Sequence, residues 1–398
     1  MDYRFSKPFA SMPQGGGGDV LKMTADPATT PFAAGNPSAE TFPLKELRAI
    51  ADELFQREDA PALFQYGQTE GYDPLRDFLR QRMAQKHGTG RPEDELMITG
   101  GGQQAIDLFT RMMIDPGDVI LAEDPTFMGA LKTFAFDGAR VVGVPMEPDG
   151  MDLNALEDQL RQQKNVKFIY VITTFQNPTG YTTSMEKRRE IYALAQRYDV
   201  MILEDNPYFE LRYSGEYVPP LKSLDEDGRV FFAGSLSKIL SPGVRMGYAQ
   251  ANRQLIERMA QSRMASDIHC NLFFQAVAAE YFNRFDLDAH IAACCQLYRS
   301  KRDLMLEELA AHMPDGVAFS RPDGGLFIWL ALPQGSNSDQ LAALAAQNGV
   351  AVVPGSAFVP GGCRENPGVR LNYSTPTEEQ IRRGVAILAQ CTRQVMGK

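Results

Sequence analysis

The chain has 398 residues, enough for one large or two medium domains with a sizeable core. Its 44% hydrophobic and 23% charged content is that of an ordinary globular protein. Fifty acidic against forty basic side chains leave a formal charge of −10, which argues against a nucleic-acid surface and against a polybasic membrane anchor.

No apolar run approaches the roughly 18 residues a membrane span requires. Residues 1–5 lack the basic and then apolar pattern of a secretory signal, so a cytoplasmic location is expected. The five cysteines, Cys270, Cys294, Cys295, Cys363 and Cys391, are odd in number and form no C-x-x-C pattern. With the four histidines scattered as well, no metal site is expected. No G-x-S-x-G elbow is present, which argues against a serine hydrolase.

Residues 1–30 are polar and irregular, with a four-glycine run at 15–18. A turn-rich loop at 31–37 follows, then a predicted helix over 44–56. Residues 63–76 hold two glycines and a proline, with Tyr66 just ahead of them, before an amphipathic helix over 75–86. At 96–109 a short apolar strand ends in three glycines and a helix begins near Gln103. Free backbone N–H groups at such a helix start, with the dipole behind them, form an anion site; an ordinary glycine-rich turn is the equal alternative.

Apolar strands then alternate with helices: strands at 119–122, 140–144, 168–173, 201–204 and 230–233, and helices at 153–163 and 186–198. That rhythm predicts an α/β fold with a mostly parallel sheet flanked by helices. Ligands in such sheets bind beyond the carboxyl ends of the strands. Phe127, Asn177, Asp205, Tyr208 and Lys238 each follow one of those strands. Lys238 follows the buried run at 230–233, where desolvation disfavours its charged form and frees a nucleophilic amine. Ser235, Ser237 and Arg245 nearby supply the donors and the planar cation that a phosphate monoester needs. A helical region at 283–312, strands near 322–330, 350–358 and 368–374, and a helix over 377–396 predict a smaller α+β domain, with Arg370 on its third strand.

In combination these pieces resemble the fold-type I, class I/II pyridoxal-phosphate aminotransferases, and within them the multi-substrate branch of 2-aminoadipate and kynurenine type. The resemblance runs from about Phe32 to the C-terminal helix. It is carried by F-A-x-G-N-P, Q-Y-G-x-x-x-G, T-x-G-x-Q-Q, E-D-P-x-aromatic, F-Q-N-P-T-G, E-D-x-P-Y, G-S-x-S-K-x-x-x-P-G-x-R-x-G-Y, P-x-G-G-x-F-x-W and R-L-N-Y-S. It implies pyridoxal 5′-phosphate as cofactor, held by Lys238 as a Schiff base. Asp205 would face the pyridine nitrogen, Tyr208 and Asn177 the phenolic oxygen, and Phe127 the ring. The phosphate would be held by Gly101, Gly102, Gln103, Ser235, Ser237 and Arg245, with Tyr66 reaching the neighbouring subunit's phosphate in a homodimer of shared sites. Lys238, Asp205 and Tyr208 would be the catalytic set. Arg370, Asn177 and Gly35 would hold the substrate carboxylate.

The implied reaction is ping-pong transfer of an amino group from an aromatic, aliphatic or aminoadipate-like L-amino acid to a 2-oxo acid such as 2-oxoglutarate. β-Elimination or decarboxylation on the same fold, and a non-catalytic sensor, are the alternatives. The implied division is an N-terminal segment (1–43) packing with the small domain, a large cofactor domain (44–285) and a small C-terminal domain (286–398). The chain departs from its relatives in three ways. Gly100, Gly101 and Gly102 replace a Ser-Gly-Ser run, Phe127 replaces a tyrosine, and Gly18, ahead of Asp19, stands where aminoadipate-directed relatives place an arginine.

Overall fold

The computed structural model describes residues 3–6, 9, 28–362 and 366–397; Gly18, Asp19 and Cys363 lie outside them. Its strands, in chain order, are β1 (Thr30–Pro31), β2 (Asp94–Thr99), β3 (Val119–Asp124), β4 (Arg140–Glu147), β5 (Gly150–Met151), β6 (Val166–Val171) and β7 (Met201–Asp205). They continue with β8 (Val230–Ser235), β9 (Gly247–Asn252), β10 (Ala318–Phe319), β11 (Phe327–Ala331), β12 (Val350–Ala351), β13 (Val353–Pro354) and β14 (Gly368–Asn372).

The main sheet runs β2-β9-β8-β7-β6-β3-β4-β5. Strands β4, β3, β6, β7 and β8 are parallel, while β9 is antiparallel to both β8 and β2. Every residue of β8 is buried, as expected of a strand covered on both faces. Alternation along β6 shows the two faces. Phe168 and Tyr170 join one apolar cluster with Phe109 and Phe134, and Ile169 and Val171 join another with Leu121 and Ile191. Helices Leu153–Gln162 and Met185–Arg197 start where predicted because Asp152 and Ser184 accept the free N–H groups of their first turns.

A second sheet, β10-β11-β14-β13, carries the C-terminal part. Three features differ from the sequence expectation. The helix expected over 283–312 starts at Leu287, because Phe285 turns extended and Asp286 caps it through Ala289 N, and residues 283–284 instead end a separate helix, Leu272–Arg284, that was not expected. Strand β9 was not expected, since Gln250 interrupts its apolar pattern; there the amide is buried and accepts from the Thr89 hydroxyl at 2.7 Å. The stretch at 350–354 is two strands serving different sheets, β12 pairing parallel with β1 and β13 antiparallel with β14. Among the described residues no helix is long and apolar enough to cross a membrane.

Candidate active site

A cavity of about 290 Å³ lies beyond the carboxyl ends of β6, β7 and β8, where the sequence placed its candidates. Lys238 reaches it from the turn after β8. Its Nζ donates to the Gly35 carbonyl at 2.8 Å. Burial, helped by the Arg370 and Arg245 cations, pulls the amine down to about 8 from an ordinary 10.5, with Asp205 opposing.

Asp205 closes β7, and its Oδ2 accepts from the Tyr170 hydroxyl at 2.8 Å. Oδ1 lies 4.0 Å from where a Cβ on Gly102 would stand, and Gly102 and Asp205 both line the cavity. Burial pushes the carboxyl up to about 7; the Tyr170 bond opposes that rise, Glu204 adds to it and Lys238 lowers it. Tyr208, three residues on, is buried beside Asn177, and burial raises its phenol.

Asn177 sits in the turn after β6 and accepts from Arg370 Nη1 at 2.8 Å. The turn needs Gly180, at φ +73, because a Cβ there would lie 2.8 Å from the Phe327 carbonyl. Arg370, on β14, also donates to the Ala33 carbonyl at 2.7 Å, and its guanidinium lies 4.4 Å from the Phe327 ring and 5.1 Å from Phe358. Its Nε is buried without a partner, and burial lowers the group to about 10. A planar cation held on two sides with a spare donor suits a carboxylate.

At the opposite side is the anion cradle. Ser235 ends β8, and Ser237 and Arg245 follow it. Arg245 adopts φ +52, which turns its guanidinium back to donate to the Gly100 carbonyl at 2.6 Å. Gly101 precedes the helix Gly102–Met113 without any side-chain cap, so the first-turn N–H groups remain available. Strand β9 presses against this loop: a Cβ on Gly247 would lie 2.6 Å from Gly101 C and 2.7 Å from Gly102 N.

Gly35, Gly102, Gln103, Phe127, Asn177, Asp205, Tyr208, Ser235, Ser237, Lys238, Arg245 and Arg370 therefore converge on one cavity. Gly101 stands just behind the wall, against Arg245. The Gln103 side chain is already committed to the Gly129 carbonyl and the Thr133 hydroxyl, which leaves its backbone for a ligand. Tyr66 is not brought in; it is 76% exposed, edge-on to His269.

Sequence reasoning missed Tyr170, Phe327 and Glu123. The signal for Tyr170 was a hydroxyl inside the buried run at 166–171, since such a group needs a partner. Glu123 is buried with Oε2 accepting from Ile172 N at 3.1 Å and Gln176 Nε2 at 3.0 Å, and burial pushes it up to about 8.

A family model described as aminotransferase class I and II matches residues 29–388. An aromatic-amino-acid aminotransferase of Thermococcus litoralis is 39% identical over 384 residues, which cover 96% of this chain and 92% of that protein. The crystal structure of a Pyrococcus horikoshii kynurenine aminotransferase in complex with PMP superposes with a TM-score of 0.94 at 37% identity, covering 98% of this chain and 97% of that one. An α-aminoadipate aminotransferase from Thermus thermophilus, complexed with N-(5′-phosphopyridoxyl)-L-leucine, gives 0.91 at 32% identity, covering 99% and 98%.

Proposed function

The chain belongs to the class I and II aminotransferases, with pyridoxal phosphate as cofactor, and on that premise we propose that it moves the amino group of an aromatic, aliphatic or aminoadipate-like L-amino acid to 2-oxoglutarate by a ping-pong route. The observation that carries this reading is a buried, readily neutral amine, a buried carboxylate and an anion cradle around one cavity.

The residues fit the cofactor. Asp205 lines the cavity with Oδ2 taken by Tyr170 and Oδ1 left for the pyridine nitrogen, and as an anion it favours that nitrogen protonated. Ser235, Ser237, Arg245 and the backbone at Gly101, Gly102 and Gln103 hold the phosphate. Tyr208 and Asn177 bond the phenolic oxygen and Phe127 covers the ring. When bound, pyridoxal phosphate supplies a carbonyl carbon for the amino group and a conjugated ring for the electron pair left by Cα–H cleavage.

Lys238 is the amine that would hold the cofactor covalently, and its neutral Nζ would take the proton from the substrate α-carbon. Arg370 receives the α-carboxylate through its spare Nε–H, with Asn177 and the Gly35 backbone beside it. The proposal includes a cytoplasmic homodimer with shared sites, supported by Tyr66 lying exposed beside exposed phenylalanines. It also keeps the division at 1–43, 44–285 and 286–398, which the β1–β12 pairing supports by joining the N-terminal segment to the C-terminal part.

The test is a panel of L-amino acids against the cofactor-loaded protein, followed by 2-oxoglutarate. The cofactor absorbance is expected to convert to the pyridoxamine form and then return as glutamate appears. No conversion with any donor, or release of pyruvate and ammonia from a cysteine-like substrate instead, would overturn it.

A further inference from the structure

Tyr170 lies on β6, one strand away from Asp205, and is fully buried. The parallel register sets Tyr170 beside Leu203, so Tyr170 and Asp205, two residues further along β7, share one face of the sheet. The phenol leans along the strand to donate to Oδ2. Phe134 packs edge-on against the ring at 5.2 Å and 79°, which holds the ring's angle. The neighbouring acids have other partners. Glu204 accepts from the Thr173 hydroxyl and from Leu221 N and Lys222 N, and Glu123 from Ile172 N and Gln176. Lys238 is the cation whose charge reaches Asp205.

We propose that Tyr170 is a positioning residue for the cofactor: its hydroxyl fixes the Asp205 rotamer, keeps that carboxylate an acceptor and so aims Oδ1 at the pyridine nitrogen. The inference rests on the reading of Asp205 as the ring-nitrogen partner. Burial works against an ionised Asp205, and the Tyr170 hydrogen bond, more than the Lys238 charge, opposes it. Burial also holds the phenol well above its ordinary range, so it stays a donor at any working pH. Without it, a neutral Asp205 turns from acceptor into donor and no longer favours a protonated ring.

Tyr170→Phe removes one oxygen and keeps the ring against Phe134. Pyridoxal phosphate is titrated into the full chain carrying this change, alone and together with Asp205→Asn. A hydrogen bond to a charged group predicts binding weaker by ~10-fold or more for Tyr170→Phe alone. In the Asp205→Asn background the same change is expected to cost nothing further. No weakening, or an equal weakening in both backgrounds, overturns the inference. Asp205→Asn binding the cofactor as tightly as the unaltered chain would instead sink the Asp205 assignment, and the inference with it. If Tyr170→Phe does not fold, the unaltered chain labelled with 3-fluorotyrosine reads the same bond by fluorine NMR. One resonance titrating with Asp205 and flat in Asp205→Asn supports the inference; no such resonance overturns it.

Discussion

At Lys238 three effects act against one charge: burial, Arg370 and Arg245. An amine attacks a carbonyl only when neutral. With its value near 8, about a tenth of Lys238 is neutral at pH 7, whereas at the ordinary 10.5 the fraction would be well below a thousandth. Covalent attachment of pyridoxal phosphate to the cofactor-free chain is therefore expected to speed up as pH rises and to level off above about 8. Stopped-flow absorbance at a series of pH values reads this directly, and a rate still climbing at pH 10 would refute it. Most of the residues in this cavity were legible in the sequence because each follows a strand and each carries a chemistry that packing does not need. Tyr170 was not, because a tyrosine in a buried strand reads first as core. Only the register between β6 and β7 shows where its hydroxyl goes.

Among the elements, β9 does the least visible work for the site. It was illegible because Gln250 breaks the apolar run, and yet it brings Gly247 against the backbone of Gly101 and Gly102. Gly247→Ala puts a methyl where only backbone atoms lie, so neither side can yield by rotating a side chain. The expected cost is ~1–3 kcal/mol of stability, together with weaker cofactor binding as the phosphate loop is pushed outward. A denaturant midpoint and a binding titration on the same sample check both, and an unchanged pair would contradict this packing. Strand β3 makes a different demand through Glu123. Its carboxyl sits at about 8 when folded against an ordinary 4.5, so the folded chain binds the extra proton between those values. That stabilisation is complete below pH 4.5 and is lost as pH rises towards 8. Glu123→Gln stays neutral throughout. In cofactor-free protein its melting temperature is expected to fall less steeply between pH 5 and 8 than that of the unaltered chain, measured by scanning calorimetry.

For the whole molecule, the alternation of strands and helices made the main sheet legible, because buried parallel strands are continuous apolar runs with capped helices between them. The ends of the chain were harder, since strands of two residues such as β1, β12 and β13 carry no periodicity. What a single chain leaves open to solvent is equally informative. Phe55, Phe64 and Phe273 cluster with centroids 4.9–5.5 Å apart, and Phe55 and Phe64 are each 60% exposed. Tyr66, two residues from Phe64, is exposed as well and does not line the cavity around Lys238. A monomer gains nothing from holding large apolar rings in water. A second copy covering them would remove that cost and bring Tyr66 to the partner's phosphate cradle. On the proposed dimer, Phe64→Asp buries an unpaired charge at the contact, so light scattering should find monomers, and cofactor affinity should fall although no residue of the cavity has changed. Tyr66→Phe should keep the dimer mass and lower the affinity alone. If the unaltered chain is monomeric at micromolar concentration and binds its cofactor fully, the shared site is refuted and Tyr66 has no part in it.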